Sequence, residues 1–407
     1  MASKGLHRFA VLTALATLGL IGVGGLVTSH GAGMAVPDWP NTYGYNMFCF
    51  PISQWVGGIF YEHTHRLVAS AVGLLTVVLT LWLHGTSARP FMRWGGWLLL
   101  LLGVAIAIAL PPRRVDGLVV GLTGLASLSA SWVWPRCQPS PKWLRWCGLV
   151  ALLAVILQGV LGGLRVVLLQ DALGIVHATL AQLFLVLLCA IALFTSRWWQ
   201  TAPVRVPPAA GHQLPTLFLF ATLLILAQLT LGAVMRHQHA GLAIPDFPLA
   251  YGKLWPDMDS ESVARYNAQR LEILAVNPIT AFQIALQMIH RLLAVLILGA
   301  VAFAAWSARR ALGAGHCLSR LGLVWLGLIL AQVLLGAITI WSDKAADIAT
   351  AHVLVGALSL ALGALISMSL VAASRQNGAD YRIANQRPAA ESRLRSEPQP
   401  SASAGAA

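Results

Sequence analysis

Residues 62–66 read Glu-His-Thr-His-Arg: an acid, two imidazoles and a guanidinium in the opening turns of an otherwise apolar stretch. Single histidines stand in equally apolar surroundings further along, at His177, His290 and His352. A carboxylate can carry a proton, an imidazole can ligate a metal, and a guanidinium can pair with a carboxylate through two hydrogen bonds. A lone histidine among apolar residues more often bonds between helices than it ligates. Four at a common depth, two in each half of the chain, shift that balance. Imidazole pairs facing each other across a four-helix bundle are the arrangement that holds a six-coordinate heme. Zinc would want three or four donors together, commonly with Cys or carboxylate, and each half supplies two.

The elements that must position these groups are membrane spans. The 407 residues are 57% hydrophobic and 10% charged, with a mean hydropathy of +0.73. A soluble chain would carry about 25% charged residues. Ten apolar segments emerge, roughly 8–28, 61–83, 94–110, 117–134, 147–168, 172–195, 214–235, 280–306, 321–341 and 347–372. The fold class is therefore an all-α polytopic membrane protein. The N-terminus is basic and then apolar, as in a signal peptide, but lacks a convincing cleavage site and reads as a retained first span. The net charge of +13 fits Lys and Arg gathered in cytoplasmic loops. No run interleaves basic residues with stacking aromatics, which argues against a nucleic-acid partner. Most of the 27 Lys and Arg fall on one side if both termini are cytoplasmic; Arg113 and Arg114 fall on the other, so spans three and four are the least secure and a re-entrant hairpin is an alternative. The five cysteines form no Cys-x-x-Cys.

The chain repeats itself. Residues 33–44, Gly-Met-Ala-Val-Pro-Asp-Trp-Pro-Asn-Thr-Tyr-Gly, match 241–252, Gly-Leu-Ala-Ile-Pro-Asp-Phe-Pro-Leu-Ala-Tyr-Gly. Each precedes a span carrying His-Arg-Leu, at His65 and His290; then come Gln158-x-x-x-Gly162 and Gln332-x-x-x-Gly336, and then His177 and His352. Gln228-x-x-x-Gly232 adds a third copy in the seventh span. This is a duplicated four-helix bundle. His65 and His177 are 112 residues apart, His290 and His352 only 62. The excess is two spans with turns, assigned to residues 91–140 as an inserted transmembrane hairpin outside the core bundles.

One position separates the halves. The first reads Glu62-x-x-His65-Arg66 and the second Gln287-x-x-His290-Arg291. Spacing of three puts the acid on the ligand's helix face, and a carboxylate within a membrane span is a functional candidate by default. Glutamine fills the same space without acid–base capacity. Arg66 and Arg291 suit heme propionates, with an equal case for snorkelling to the interface. Gln158, Gln228 and Gln332 read chiefly as interhelical hydrogen bonders. Asp38 and Asp246 read as acceptors of backbone hydrogen bonds that shape a lid over each site. The Gly-rich spans would let a flat macrocycle approach, or would simply pack helices closely. His63 reads as an interfacial hydrogen bonder, His237 and His239 as surface residues, and the charged part of the second long loop as a short surface helix.

With these motifs the chain resembles the heme A synthase family, over nearly all of residues 8–373 except the insertion. The resemblance rests on Glu62-x-x-His65-Arg66, on His177 in His-Ala-Thr-Leu-Ala-Gln, on Gln287-x-x-His290-Arg291 and on His352. It implies eight core helices in two pseudo-symmetric bundles, with His65 and His177 framing the substrate heme O, His290 and His352 ligating a permanent heme b, and Glu62 as the catalytic carboxylate. It implies oxidation of a methyl group of heme O to a formyl group by successive hydroxylations. Many members carry a cysteine pair in the first long loop; here Cys49 stands alone, which marks a cysteine-pair-free type. The implied domains are 1–90 with 141–200 as the N-terminal catalytic bundle, 91–140 as the hairpin, 201–213 as a cytoplasmic linker, 214–373 as the heme b bundle and 374–407 as a disordered cytoplasmic tail. The implied setting is the bacterial inner membrane and its lipid, with heme O synthase and the cytochrome oxidase assembly pathway as partners, an electron donor or acceptor without a name, and a homo-oligomer left open. A di-heme cytochrome b and a heme-delivery or assembly factor are the competing readings.

Overall fold

The computed structural model describes residues 3–201, 207, 213–270 and 278–396, with side chains described to Ser374 except those of Asp171 and Thr201. The helices are α1 (Lys4–Ser29), α2 (Gly57–His84), α3 (Ala88–Ala109), α4 (Arg114–Val133), α5 (Lys142–Leu168), α6 (Asp171–Thr195), a short α7 (Arg197–Thr201), α8 (Gln213–His237), α9 (Ser260–Ala268), α10 (Ala281–Leu312), α11 (Cys317–Trp341) and α12 (Ala346–Ser396). No strand occurs among the described residues. Nine helical runs among them are long and apolar enough to cross a membrane, which makes this a polytopic all-α membrane protein. The longest run, Gly57–Ala109, has 53 residues. As one straight helix it would span about 80 Å, well over twice a hydrocarbon core of about 30 Å. It turns at Gly85, where φ is 55° and a Cβ would lie 2.5 Å from the Cys137 carbonyl oxygen. Only glycine meets both demands, and the run divides into α2 and α3. The ten expected spans thus correspond one for one with helices.

Local signals set the other boundaries. Ser3 caps α1 by accepting the Leu6 N–H, Thr280 and Gln283 form a capping box at α10, and Asp259 caps the surface helix α9. Gly313, at φ 83°, closes α10. The last helix continues to Ser396, so the tail expected from 374 begins helical; residues 397–407, and most of the 201–213 linker, lie outside the described residues.

The packing gives two closed rings. In the first, α1 packs on α2, α2 on α5, α5 on α6 and α6 back on α1; in the second, α8 packs on α10, α10 on α11, α11 on α12 and α12 on α8. The rings meet through α1 on α12, α6 on α8 and α6 on α12. Exchanging the halves maps that interface onto itself, so the rings are related by a pseudo-two-fold axis. Helices α3 and α4 pack closely on each other and barely on anything else. Their contact is made of glycines: a Cβ on Gly103 would fall 2.4 Å from the Gly121 nitrogen, and one on Gly124 would fall 2.5 Å from the Leu100 nitrogen.

Buried apolar side chains concentrate at one end of each ring. In the first, Leu6, Ala10, Leu79, Leu83, Leu144, Leu188 and Ile191 form the core. In the second, Phe218 stacks on Trp325 at 5.4 Å among Val301, Leu318, Ile366 and Leu370, and the indole N–H of Trp325 donates to the Ser359 carbonyl. The histidines lie toward the other end, where the long loops cross.

Candidate functional site

His65, His177, His290 and His352 sit six to nine residues inside the first residue of α2, α6, α10 and α12, a depth of roughly 9–14 Å. In each ring the two histidine-bearing helices do not neighbour each other; they stand at diagonal corners. His65 is within electrostatic range of His177, and His290 of His352. The structure thus pairs the histidines within each half, across its bundle.

Each imidazole rests on a glycine of the preceding ring helix. A Cβ on Gly24 would meet His65 Cε1 at 3.0 Å, one on Gly162 would meet His177 Cε1 at 3.4 Å, one on Gly232 would meet His290 Cε1 at 3.5 Å and one on Gly336 would meet His352 Cε1 at 3.3 Å. All four Nδ1 atoms are closed off from solvent and make no hydrogen bond. The backbone behind the rings is tied by glutamines: Gln158 Nε2 donates to the His177 carbonyl at 3.1 Å, Gln228 Nε2 to the His290 carbonyl at 3.0 Å and Gln332 Nε2 to the His352 carbonyl at 2.8 Å. The Gln-x-x-x-Gly motif is therefore a histidine mount, with glycine admitting the ring and glutamine holding the main chain. Sequence reasoning saw the interhelical role of the glutamines but not their acceptor, and it gave the glycines to a macrocycle or to helix packing.

The two Pro-Asp loops fold over these ends in the same way. Asp38 accepts the N–H groups of Tyr43 and Gly44, both at 2.8 Å, and the Tyr43 hydroxyl donates to the Ala35 carbonyl at 2.6 Å. Asp246 accepts from Tyr251 at 2.7 Å and Gly252 at 2.9 Å, and the Tyr251 hydroxyl donates to the Ala243 carbonyl. Burial and the stacked Tyr266 ring push the Tyr251 phenol up to about 12, so it remains a donor at every physiological pH. The carboxylates shape the loops as expected.

Glu62 is buried, 4% exposed, beneath the first loop. Its Oε2 accepts the Val36 N–H at 2.8 Å, and its Oε1 pairs with Arg66 Nη2 at 2.7 Å. Arg66 also donates through Nη1 to the carbonyls of Asp38 at 2.7 Å and Asn41 at 2.9 Å, and through Nη2 to that of Val36 at 2.8 Å. Gln287 occupies the Glu62 place in the second half: its Oε1 accepts the Ile244 N–H at 2.7 Å, and its Nε2 reaches the carbonyls of Ile244 at 3.3 Å and Gly241 at 3.4 Å. Arg291 donates to the carbonyls of Asp246 at 2.7 Å and Leu249 at 2.9 Å and lies over the Phe247 ring. Both arginines thus grip loop main chain. The loop folds back onto the helix start and brings its carbonyls within reach. Arg66→Gln should remove this grip and leave the buried Glu62 carboxylate without its cationic partner, at a cost of about 3 kcal/mol. A lower thermal midpoint in detergent and faster proteolysis within residues 36–56 would register it.

Two histidines sit differently from the sequence-based expectation. His63 is fully buried under the loop, with Nδ1 3.1 Å from Thr42 Oγ1 and the ring between Phe50 and Trp55. His237 is tucked against α6, where a Cβ on Gly174 would fall 2.4 Å from its ring; His239 is exposed as expected. Arg236 crosses between the halves and donates to the Gly25 carbonyl at 2.7 Å and to Ser29 Oγ at 2.5 Å. Trp39, the aromatic residue of the first loop, lies on Gly163, where a Cβ would fall 2.3 Å from the indole. No sequence signal distinguishes that glycine from those that only pack helices.

Among the described residues no three His, Cys, Asp or Glu converge as a bare metal ion would need. Two imidazoles across a bundle, each with one nitrogen closed off and each seated on a glycine, instead suit a flat ligand held between them at its metal. The family model described as cytochrome oxidase assembly protein, COX15-CtaA, matches residues 113–364, more than half of the chain. The chain belongs to this family. The matched stretch contains His177, His290 and His352 and begins after Glu62 and His65. Two curated relatives extend the comparison. The heme A synthase of Shouchella clausii strain KSM-K16 is 26% identical over 266 residues, 64% of this chain and 68% of the relative. The heme A synthase of Beijerinckia indica subsp. indica is 30% identical over 239 residues, 56% of this chain and 61% of the relative. Membership places the chain in cytochrome oxidase assembly, in a family whose matched relatives are heme A synthases.

Proposed function

We propose that this family member is a heme A synthase: it oxidises a methyl group of heme O to a formyl group by successive hydroxylations and delivers heme A for cytochrome oxidase. The observation that carries this reading is the pair of alike histidine mounts distinguished by Glu62 against Gln287. Two electron-transfer sites would not need that difference, which argues against a plain di-heme cytochrome b.

His65 and His177 would hold the substrate heme O, and His290 and His352 a resident heme b. The residues fit these groups: each pair spans a bundle away from its packed core, and each imidazole is oriented by a glycine seat with Nδ1 closed off. A heme b bound by the second pair supplies one-electron chemistry to the site. The protein's own contribution lies in the first bundle. Arg66 and the Val36 N–H hold Glu62 in place, one turn from His65. There Glu62 takes up or returns protons as the substrate methyl is oxidised. The first loop, clasped by Asp38, Tyr43 and Arg66, covers the site and limits water. The second loop covers the heme b site, with Gln287 at the Glu62 place in a loop otherwise clasped by Asp246, Tyr251 and Arg291. Arg66 and Arg291 act as loop grips in this account.

In this reading heme O synthase supplies the substrate, a redox partner exchanges electrons through the second bundle, and the protein lies in the bacterial inner membrane with both termini cytoplasmic. Expression with a source of heme O, followed by chromatography and mass analysis of extracted pigments, tests it. Heme A, or its hydroxylated precursor, is expected. Unmodified heme alone would favour an electron carrier or a heme-delivery factor.

A further inference from the structure

The four histidines are seated alike but not tied alike. Gln158, Gln228 and Gln332 each lie four residues before the glycine that seats a ring, and each donates to the carbonyl of that same histidine. Four residues before Gly24 stands Leu20, which has no side-chain donor and packs on the apolar core of the first bundle. The His65 carbonyl receives no side-chain hydrogen bond from α1.

The difference has a physical consequence. A carbonyl in a helix already accepts the N–H four residues on, and the glutamine uses its second lone pair. That bond keys the histidine helix to its neighbour, so the ring cannot slide or tilt without breaking it. Apolar faces give no hydrophobic drive between helices in lipid, so such bonds and close packing set the register. His177, His290 and His352 are keyed in this way; His65 rests on Gly24 without such a key to α1.

We propose that His65 is the exchangeable hold of the first bundle. A heme placed between His65 and His177 stays on His177 and lets go on the His65 side, the side that carries Glu62. The second bundle has both keys and a glutamine, Gln287, in place of the acid, and stays closed on both faces. The inference rests on the heme reading above and assigns which ligand yields.

Carbon monoxide added to the reduced, heme-loaded full-length protein tests it. Carbon monoxide is expected to bind one heme per chain, in the first bundle, and to leave the second unreacted. Leu20→Gln supplies the missing key and should slow binding at least 10-fold, while Leu20→Met, of similar size but without a donor, should bind as the unaltered protein does. The mirror variant Gln228→Leu should open the second heme to carbon monoxide. Equal resistance of both hemes in the unaltered protein would overturn the inference, as would unchanged binding in a heme-loaded Leu20→Gln protein. Should Leu20→Gln not fold, a second heme still closed in Gln228→Leu overturns it. A well-folded protein that takes up no heme would overturn the heme reading itself, a result separable from these by the pigment content.

Discussion

Glu62→Gln is expected to keep its bound heme and to lower heme A formation by about 100-fold or more, the scale that a positioned acid–base group contributes. The second half shows why the fold should survive. Gln287 accepts the Ile244 N–H and turns its amide nitrogen to the loop carbonyls. A glutamine at position 62 can accept from Val36 and turn to the Val36 carbonyl in the same way, while Arg66 keeps its bonds to Asp38 and Asn41. What the substitution removes is the ionisable carboxylate. The geometry also defines the rival role: Glu62 is a loop clasp, with both oxygens engaged. If it were only a clasp, Glu62→Gln would make heme A at the normal rate, because the second loop is clasped by glutamine already. Heme content, spectrum and extracted pigment of the variant separate the two.

His290→Ala and His352→Ala form the second large expectation. Each removes one of the two imidazoles that span the second bundle. Either should abolish the low-spin signal of one heme per chain, and heme A formation should fall below a tenth, since electrons would no longer pass through that bundle. The chain should still fold, because the second core, around Phe218, Trp325, Leu318 and Leu370, lies toward the opposite end. Electron paramagnetic resonance of the purified variants, beside their pigment yield, checks this. A full low-spin signal with normal heme A would remove the second pair from the account.

The parts of this architecture carried by residue type and period were legible in the sequence. The Pro-Asp-aromatic-Pro loops, the four histidines and the Glu62/Gln287 contrast need only an internal comparison. The hairpin followed from unequal histidine spacing, and the structure shows α3 and α4 packed chiefly on each other. What escaped depends on which donor meets which acceptor. The loop bonds of Arg66 were not legible, because nothing in the sequence shows a loop folding back to offer the carbonyls of Val36, Asp38 and Asn41. His63 looked interfacial for the same reason. Gly24, Gly162, Gly232 and Gly336 looked like ordinary helix-packing glycines, because a seat for an imidazole and a seat for a leucine both require a small residue. Arg236 could not have been assigned to Gly25 and Ser29 without the arrangement of the two halves, which joins residues about two hundred positions apart in the chain.

On the proposed function, two related bundles would hold two hemes of different kinds, one as substrate and one as cofactor. The heme composition of the full-length protein, purified after expression with a heme O source, tests it most directly. Two hemes per chain are expected: one protoheme, and one farnesylated heme recovered as heme O or an oxidised form of it. Two protohemes per chain, or a single heme shared by all four histidines, would contradict it.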